Sequence, residues 1–484
     1  MIPETSVSFR CGEEAIQSLY DAAEAGCRRN LQSFAGRPVL VEGGGYEKIW
    51  LETQPMGGEM YALRHPEAGL NNTLFFLECC RADGRLPGSI RSEGSCIVPE
   101  YNKFQGFCLP FHALNLFYLF DRDHALLDLL KSALIGFDAY LHRTRELNGD
   151  GLLHSFCVYD TGEDLALRYG DAPCYWTEDR PPEGFRSVPM ASMDLTSWSY
   201  ACRETLAEIC RLQGDDRAED WLKKAGETAG ALRRGLWNEQ RGTLFDRDAS
   251  GRPVNVLCHN PLRCMYWHAL SPEMADRFIR EHLLNPREFA TPFPLPSVAV
   301  SDPLFRNAPE NNWSGQSEGL TWQRAISALE NYGYYSLVTR LSSRLFSAVI
   351  RSGFRFTQQY DPFTGAPSLV HAVTHQPAAD GEPVQEAYGP TLLAVLEYIA
   401  HRWGIHPHLG NVWFSLGSGL PCEYEAVFYH HRYRIKSDGK TASVRVDGRE
   451  IAQTTCGIRL ITDEAGQVLR SVSIEDGKVP LYGP

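Results

Sequence analysis

The sequence predicts a mainly α-helical fold of helical hairpins arranged around an axis, followed by a small β-rich C-terminal domain. Three observations carry that prediction. Apolar residues recur at three- and four-residue spacing through most of the first 405 residues, the helical segments come in pairs, and beyond about residue 406 the apolar period changes to two. The expected domains are therefore residues 1–405 and 406–484.

The elements follow in chain order. "CLPFHALNLFYLF" with "DHALLDLLKSALIGFDAYLHRT" reads as a first clear helical pair. In "MDLTSWSYACRETLAEICRLQGDD", Leu195, Trp198, Cys202, Leu206, Ile209 and Leu212 form one apolar stripe. The next segment repeats the pattern with Trp221, Leu222, Ala225, Ala229 and Leu232, and the short "QGDD" turn between them predicts an antiparallel hairpin. "SEGLTWQRAISALENYG" with "YYSLVTRLSSRLFSAVI" makes another pair, and "EAYGPTLLAVLEYIAHRWG" a last helix. Eleven or twelve helical segments result. Their pairs recur without sequence identity, which favours hairpins around an axis over a fixed-period solenoid. Long loops rich in Gly, Pro and aromatics separate them, at 41–59, 146–191, 286–318 and 354–386; loops of that length are often functional. After "GIHPHLG", the stretch "EAVFYHHRYRIKSDGKTASVRVDGREIAQ" alternates apolar and polar residues, with "SDGK" and "VDGR" as hairpin turns.

Composition narrows the function classes. A formal charge of −13 argues against a nucleic-acid partner, which calls for a basic face. No window approaches the ~18 uninterrupted apolar residues of a membrane helix, and "MIPETSVSFRCGEEAIQ" has neither the basic nor the apolar region of a signal peptide. The 14 cysteines are scattered without a CxxC pair or zinc spacing, so they read as reduced thiols of a cytoplasmic protein. His259 and His268 have no partner at metal-ligand spacing, so neither a metal nor another cofactor is expected.

The chemistry concentrates in "CVYDTGEDLALRY", where Asp160, Glu163 and Asp164 surround Gly162 between apolar and aromatic flanks. An isolated D-x-x-x-D is ordinarily a turn-capping feature. Here several other loops, "KIWLETQPMGGEMY", "NNWSGQSEGLTWQR" and "FTQQYDPFTGAP", carry the mixture of Trp, Tyr, Asn, Gln and carboxylates that binds sugars. Flat rings stack on the apolar face of a pyranose, and amides and carboxylates exchange hydrogen bonds with its hydroxyls.

Taken in order, "NGDGL", "DTGEDLALRY", "MDLTSWSY", "LWNEQRGTLFDRD", "TPFPLPSVAVSDPLF", "NNWSGQ" and "YDPFTG" resemble the clan of (α/α)₆-barrel glycoside hydrolases that contains family sixty-three α-glucosidases, mannosylglycerate and glucosylglycerate hydrolases and, more distantly, trehalases. The match runs over most of residues 40–405. It implies an (α/α)₆ barrel that cleaves a small glycoside or oligosaccharide with inversion, and it makes Asp164 the general acid. One carboxyl must hand a proton to the leaving oxygen while a second activates water on the opposite face of the ring. Asp160 then binds sugar or orients the loop, and Glu163 points away to cap the turn or meet solvent. Trp50, Glu52 and Gln54 fall where the family places substrate contacts, with Glu59 as a further candidate carboxylate. Trp313, Gln316, Gln358, Tyr360 and Glu386 complete the expected substrate-binding set.

The second carboxylate departs from the family pattern. The family's general base is a Glu four residues before the Pro of the Y-D-P segment, and this chain has Gln358 there. A neutral amide takes no proton from water. The preferred substitute is Glu318, with Glu386 as another. The alternatives are a phosphorolase, for which Arg263, Arg306 and Arg324 lie in suitable segments; an exchange of Glu for Gln that traps substrate; a non-catalytic sugar-binding protein; and a sugar isomerase or epimerase, for which His371 and His375 are the one clustered histidine pair.

Overall fold

The computed structural model describes residues 2–310, 313–371, 374, 376–379 and 381–475. Among them are twelve α-helices: α1 Glu14–Arg29, α2 Gln54–Tyr61, α3 Pro66–Glu78, α4 Leu109–Leu119, α5 His124–Arg145, α6 Met193–Gln213, α7 Ala218–Leu236, α8 Asn260–Tyr266, α9 Pro272–Phe278, α10 Gly319–Glu330, α11 Tyr335–Arg351 and α12 Gly389–Trp403. The even-numbered helices touch one another in sequence order, and α12 returns to α2, so six helices close a ring. The odd-numbered helices pack outside it, each against one or two ring members.

Sequence explains this division. Ring helices such as α4 and α12 are buried on nearly every face: in α4 all but Phe111 and Tyr118 are buried, and in α12 all but three residues are. A helix buried all round belongs inside. The outer helices α7 and α11 bury one stripe only, such as Ala225, Ala229, Leu232 and Leu236 of α7, and keep their charged residues outward. The helical pairs read from the sequence are present as α4/α5, α6/α7 and α10/α11, and the "QGDD" turn is closed by Gly214 in a left-handed conformation.

Beyond the last helix the chain forms two antiparallel sheets. Ile405–His408, Asn411–Leu416, Ile458–Thr462 and Val468–Ser473 make a four-stranded sheet in that spatial order. The second sheet orders Ser6–Cys11, Pro421–Phe428, His431–Asp438, Thr441–Val446 and Arg449–Thr455. Gly439 and Gly448 of the "SDGK" and "VDGR" turns take positive φ, 87° and 80°. Two expectations need correction here. The five-stranded sheet takes its edge from the N-terminus, since Ser6–Cys11 pairs with Cys422–Val427, so the C-terminal sheets do not consist of residues 406–484 alone. The fold is also mixed helix and strand rather than mainly α. Short strands organise the long loops as well: Lys48–Trp50 pairs with Ser89–Glu93, and Ser317–Glu318 with Gln359–Tyr360.

Candidate active site

A cavity of about 280 Å³ opens at the end of the ring where the even-numbered helices begin. Its walls come from the segments that enter those helices: Glu42, Tyr46, Trp50 and Glu52 before α2, Lys103 and Gln105 before α4, Tyr159, Asp164 and Tyr175 before α6, Trp313 before α10, and Gln358 and Tyr388 before α12. A loop packed over a rigid helical ring holds its side chains in place while leaving sequence free to vary.

The acid-bearing turn is built first. Asp160 is buried and accepts backbone N–H groups from Phe156 (2.7 Å), Cys157 (3.3 Å) and Phe104 (3.3 Å), so it orients the loop and does not face the cavity. Asp164 is half-buried on the wall and accepts from Gln105 Nε2 at 3.3 Å. Glu163 overturns its expected outward position. It is 1% exposed and sits in a buried network, bonded to Arg168, to Asn260 Nδ2 (2.9 Å) and to His259 Nε2 (3.3 Å), with Arg263 at 3.7 Å. Burial works against its charge, yet Arg168 and Arg263 hold its carboxyl well below the usual range. Arg168 also bonds Asp246, which anchors the first N–H of α6 at Met193 (2.8 Å). The turn carrying Asp164 is thereby tied to the start of the ring helix behind it.

Glu52 faces the same turn. Its carboxylate accepts from Arg263 (2.6 Å) and Arg324 (3.2 Å), and burial, together with the charges of Asp164 and Glu163, outweighs these guanidinium groups and pushes it up to about 7. Trp50 and Trp313 supply ring surfaces to the cavity. Lys103 stands among the rings of Tyr175 (4.7 Å), Tyr159 (5.0 Å) and Trp50 (5.2 Å), and burial lowers its pKa while Asp164 opposes that shift.

Gln358 lines the cavity wall, and its Oε1 accepts from Tyr46 Oη at 3.0 Å. Glu42, which the sequence reading passed over, lines the cavity as well. It is 7% exposed and accepts from Tyr388 Oη at 3.1 Å. Burial, then the charge of Glu52, raises its carboxyl well above the usual range. The available signal was its place in "EGGGYEKIW", an acid ahead of a glycine-rich turn that leads to Trp50 and Glu52.

Besides Asp160, six expected site residues stand elsewhere. Glu318 is fully buried at the start of α10, off the cavity wall; Gln359 Nε2 donates to one of its oxygens (2.8 Å), and burial raises its pKa. It is held there because Ser317–Glu318 pairs with Gln359–Tyr360, which turns its side chain toward Gln359 rather than the wall. Gln54 accepts the N–H of Trp50 (2.9 Å) and closes the entry to α2. Gln316 is buried between Asn307 and Ser368. Tyr360 is buried against Phe293 and donates to the carbonyl of Arg355 (2.8 Å). Glu386 is exposed in an ion pair with Arg355 (2.9 Å). Glu59 lines a second cavity at the opposite end of the ring.

The arrangement weighs against two alternatives. Arg263 and Arg324 are committed to Glu52, and Arg306 to Glu310, so these guanidinium groups do not form an open phosphate pocket. No histidine lines the cavity among the described residues, and His375 lies outside them. At the other end of the ring, Glu330, His401 and His406 cluster closely enough to hold a metal ion. The two imidazoles stack at 3.8 Å with 17° between their planes, so their in-plane lone pairs do not converge, and Arg459 already occupies Glu330 at 2.8 Å.

Comparison with known proteins supplies the family and the fold. The family model of the mannosylglycerate hydrolase MGH1-like glycoside hydrolase domain matches residues 75–377, more than half of the chain. Comparison with curated proteins returns no match. Among solved structures, the chain is similar to a family sixty-three mannosylglycerate hydrolase from Thermus thermophilus in complex with glucose, with 18% identity, a TM-score of 0.62, and coverage of 79% of this chain and 100% of that one. It is similar to a sialidase with 15% identity and a TM-score of 0.70 over 96% of this chain and 42% of that one. Neutral trehalase from Saccharomyces cerevisiae matches with 14% identity and a TM-score of 0.54 over 78% and 80%. At these identities the structures testify to the fold, while the family model and the walled carboxylates together establish that this chain belongs to the mannosylglycerate hydrolase MGH1-like glycoside hydrolases and is a glycosidase.

Proposed function

We propose that the protein is an (α/α)₆-barrel enzyme that hydrolyses a small glycoside with inversion at the anomeric carbon, Asp164 acting as general acid. The ring of six helices with outer partners is the barrel. Residues 405–475, joined by Ser6–Cys11, form the β-rich unit beside it. The observation that carries the reading is Asp164 on a rigid turn at a cavity whose other walls are Trp50, Trp313, Tyr159, Tyr175 and two further carboxylates. Gln358, with its carbonyl oxygen accepting from Tyr46, has no partner for its amide N–H groups among the described residues, which suits donation to a sugar hydroxyl. Lys103, a cation caged by rings on the same wall, fits a substrate whose aglycone carries a carboxylate, as a glycosylglycerate does. The fourteen cysteines, all unpaired, fit a cytoplasmic enzyme.

The test is a proton-NMR time course with mannosylglycerate, glucosylglycerate and a panel of α- and β-linked disaccharides, each with and without phosphate. The expected result is release of the sugar first as the anomer opposite to the substrate, independent of phosphate, with Asp164→Asn slower by about 10²- to 10⁴-fold. Release with retention, a strict need for phosphate, or an Asp164→Asn variant of undiminished rate overturns the reading.

A further inference from the structure

We propose that Glu42 is the general base of this enzyme, in the role that Gln358 cannot fill; the assignment rests on the hydrolytic reading above. Three carboxylates, Glu42, Glu52 and Asp164, reach the cavity among the described residues. An inverting enzyme needs the base across the sugar from the acid, with room for a water between them.

Glu52 is on the acid's own side. It packs directly on the turn that bears Asp164, so closely that a Cβ on Gly162 would lie 2.1 Å from its Oε2, and two guanidinium groups hold its Oε1. Glu42 is held at the start of α12, which stands three places round the ring from α6, the helix that follows the Asp164 turn. Its backbone oxygen accepts from Gly389 N (2.6 Å) at the start of α12, and its carboxylate from Tyr388 Oη (3.1 Å). The Tyr388 ring lies 6.3 Å from that of Tyr46, whose hydroxyl donates to Gln358. Glu42 therefore stands in the group of side chains around the position where the family keeps its base. One of its oxygens is oriented by Tyr388, and the other has no hydrogen bond among the described residues, which leaves a lone pair for water. Glu318 and Glu386 offer no comparable access, the first being sealed and the second paired with Arg355 in solvent.

The step balances simply. Water attacks the anomeric carbon and gives a proton to the Glu42 carboxylate, while the glycosidic C–O bond breaks and the leaving oxygen takes the proton of Asp164. The titratable groups that act on Glu42 electrostatically or share its cavity are Glu52, Asp164, Tyr388, Tyr46, Lys103, Tyr159 and Tyr175. Burial and the two carboxylates favour its protonated form, so the group is a stronger base once ionised and works only as pH rises through its elevated pKa. The acidic limb of kcat/KM then lies above the ordinary carboxylate range.

The experiment compares wild type, Glu42→Gln and Glu42→Ala on the best substrate of the panel and on its glycosyl fluoride, with and without sodium azide, across pH; thermal melts confirm that the variants fold. The expected result is a fall in kcat of about 10²- to 10⁴-fold with KM little changed, and loss of the acidic limb. Azide restores turnover of Glu42→Ala by replacing water at the anomeric carbon, and the product is a glycosyl azide of the configuration opposite to the substrate. A folded Glu42→Gln variant within threefold of wild-type kcat overturns the assignment while leaving the hydrolytic reading intact. So does an inactive Glu42→Ala that azide does not rescue. A wild type that releases no sugar from any compound overturns the hydrolytic reading and the assignment with it.

Discussion

Replacing Gly162 with Ala tests how rigidly the acid turn is held. Gly162 has φ +77°, and a Cβ there would meet Glu52 Oε2 at 2.1 Å and Cδ at 2.3 Å. The left-handed backbone costs a non-glycine residue roughly 1–2 kcal/mol. The obstruction is the end of a side chain, but Arg263 (2.6 Å) and Arg324 (3.2 Å) fix that end, so it yields only by straining two buried ion pairs. Overpacking of this kind costs about 1–3 kcal/mol, which brings the expected loss to about 2–5 kcal/mol. At ~2.1 cal/mol/K per residue, a chain of 484 residues loses about 1 °C of Tm per kcal/mol, so a fall of about 2–5 °C follows. The assay is a double-mutant cycle with Glu52→Ala, read by calorimetric Tm. Removing the carboxylate leaves only the backbone cost, and the coupling energy is about 1–3 kcal/mol. A Gly162→Ala variant within about 0.5 kcal/mol of wild type, or an equal loss in the Glu52→Ala background, refutes the reasoning.

Lys103→Met removes the caged cation but keeps the stem against the rings. Its KM rises about tenfold for a glycosylglycerate and less than twofold for a neutral glycoside, a charge-assisted hydrogen bond being worth about 1.5–3 kcal/mol; equal changes for both substrates refute the role. At the other end of the ring, burial opposes the charge of Glu330, but Arg459 and His401 bring its pKa from 4.5 down to about 2. The folded value lies below the unfolded one, so the stabilisation is complete above pH 4.5 and is lost as pH falls toward 2. Glu330→Gln lacks that component: urea midpoints measured from pH 5 downward fall less steeply than in wild type, and parallel curves refute the assignment.

The helical scaffold was legible because its cause is local. A stripe such as Leu195, Trp198, Cys202, Leu206 and Ile209 needs no knowledge of its partner to announce a buried helix face, and all five are buried in α6. The acid turn was legible as a cluster, but the roles within it were not. Asp160 and Glu163 differ from Asp164 only in which way a tight turn aims each side chain, and of the residues that capture Glu163, Arg168 follows five positions on while Arg263 and His259 arrive from another segment. The placement of Glu318 was hidden for a related reason. Its register against Gln359 is set by a two-residue strand pair joining segments 41 residues apart, too short to show any period.

Sequence alone determined the helical hairpins, the change to strands near residue 406, and the family to which the loops belong, because apolar periodicity and ordered motifs are properties of contiguous chain. Tertiary structure decided which carboxylates share a cavity. It brought Glu42 beside Tyr388, 346 residues away, placed Glu52 on the turn of Gly162, and joined Ser6–Cys11 to a sheet more than 400 residues downstream. Long-range placement of this kind depends on how a closed ring of helices positions the loops at its mouth, and no local pattern in the sequence records it.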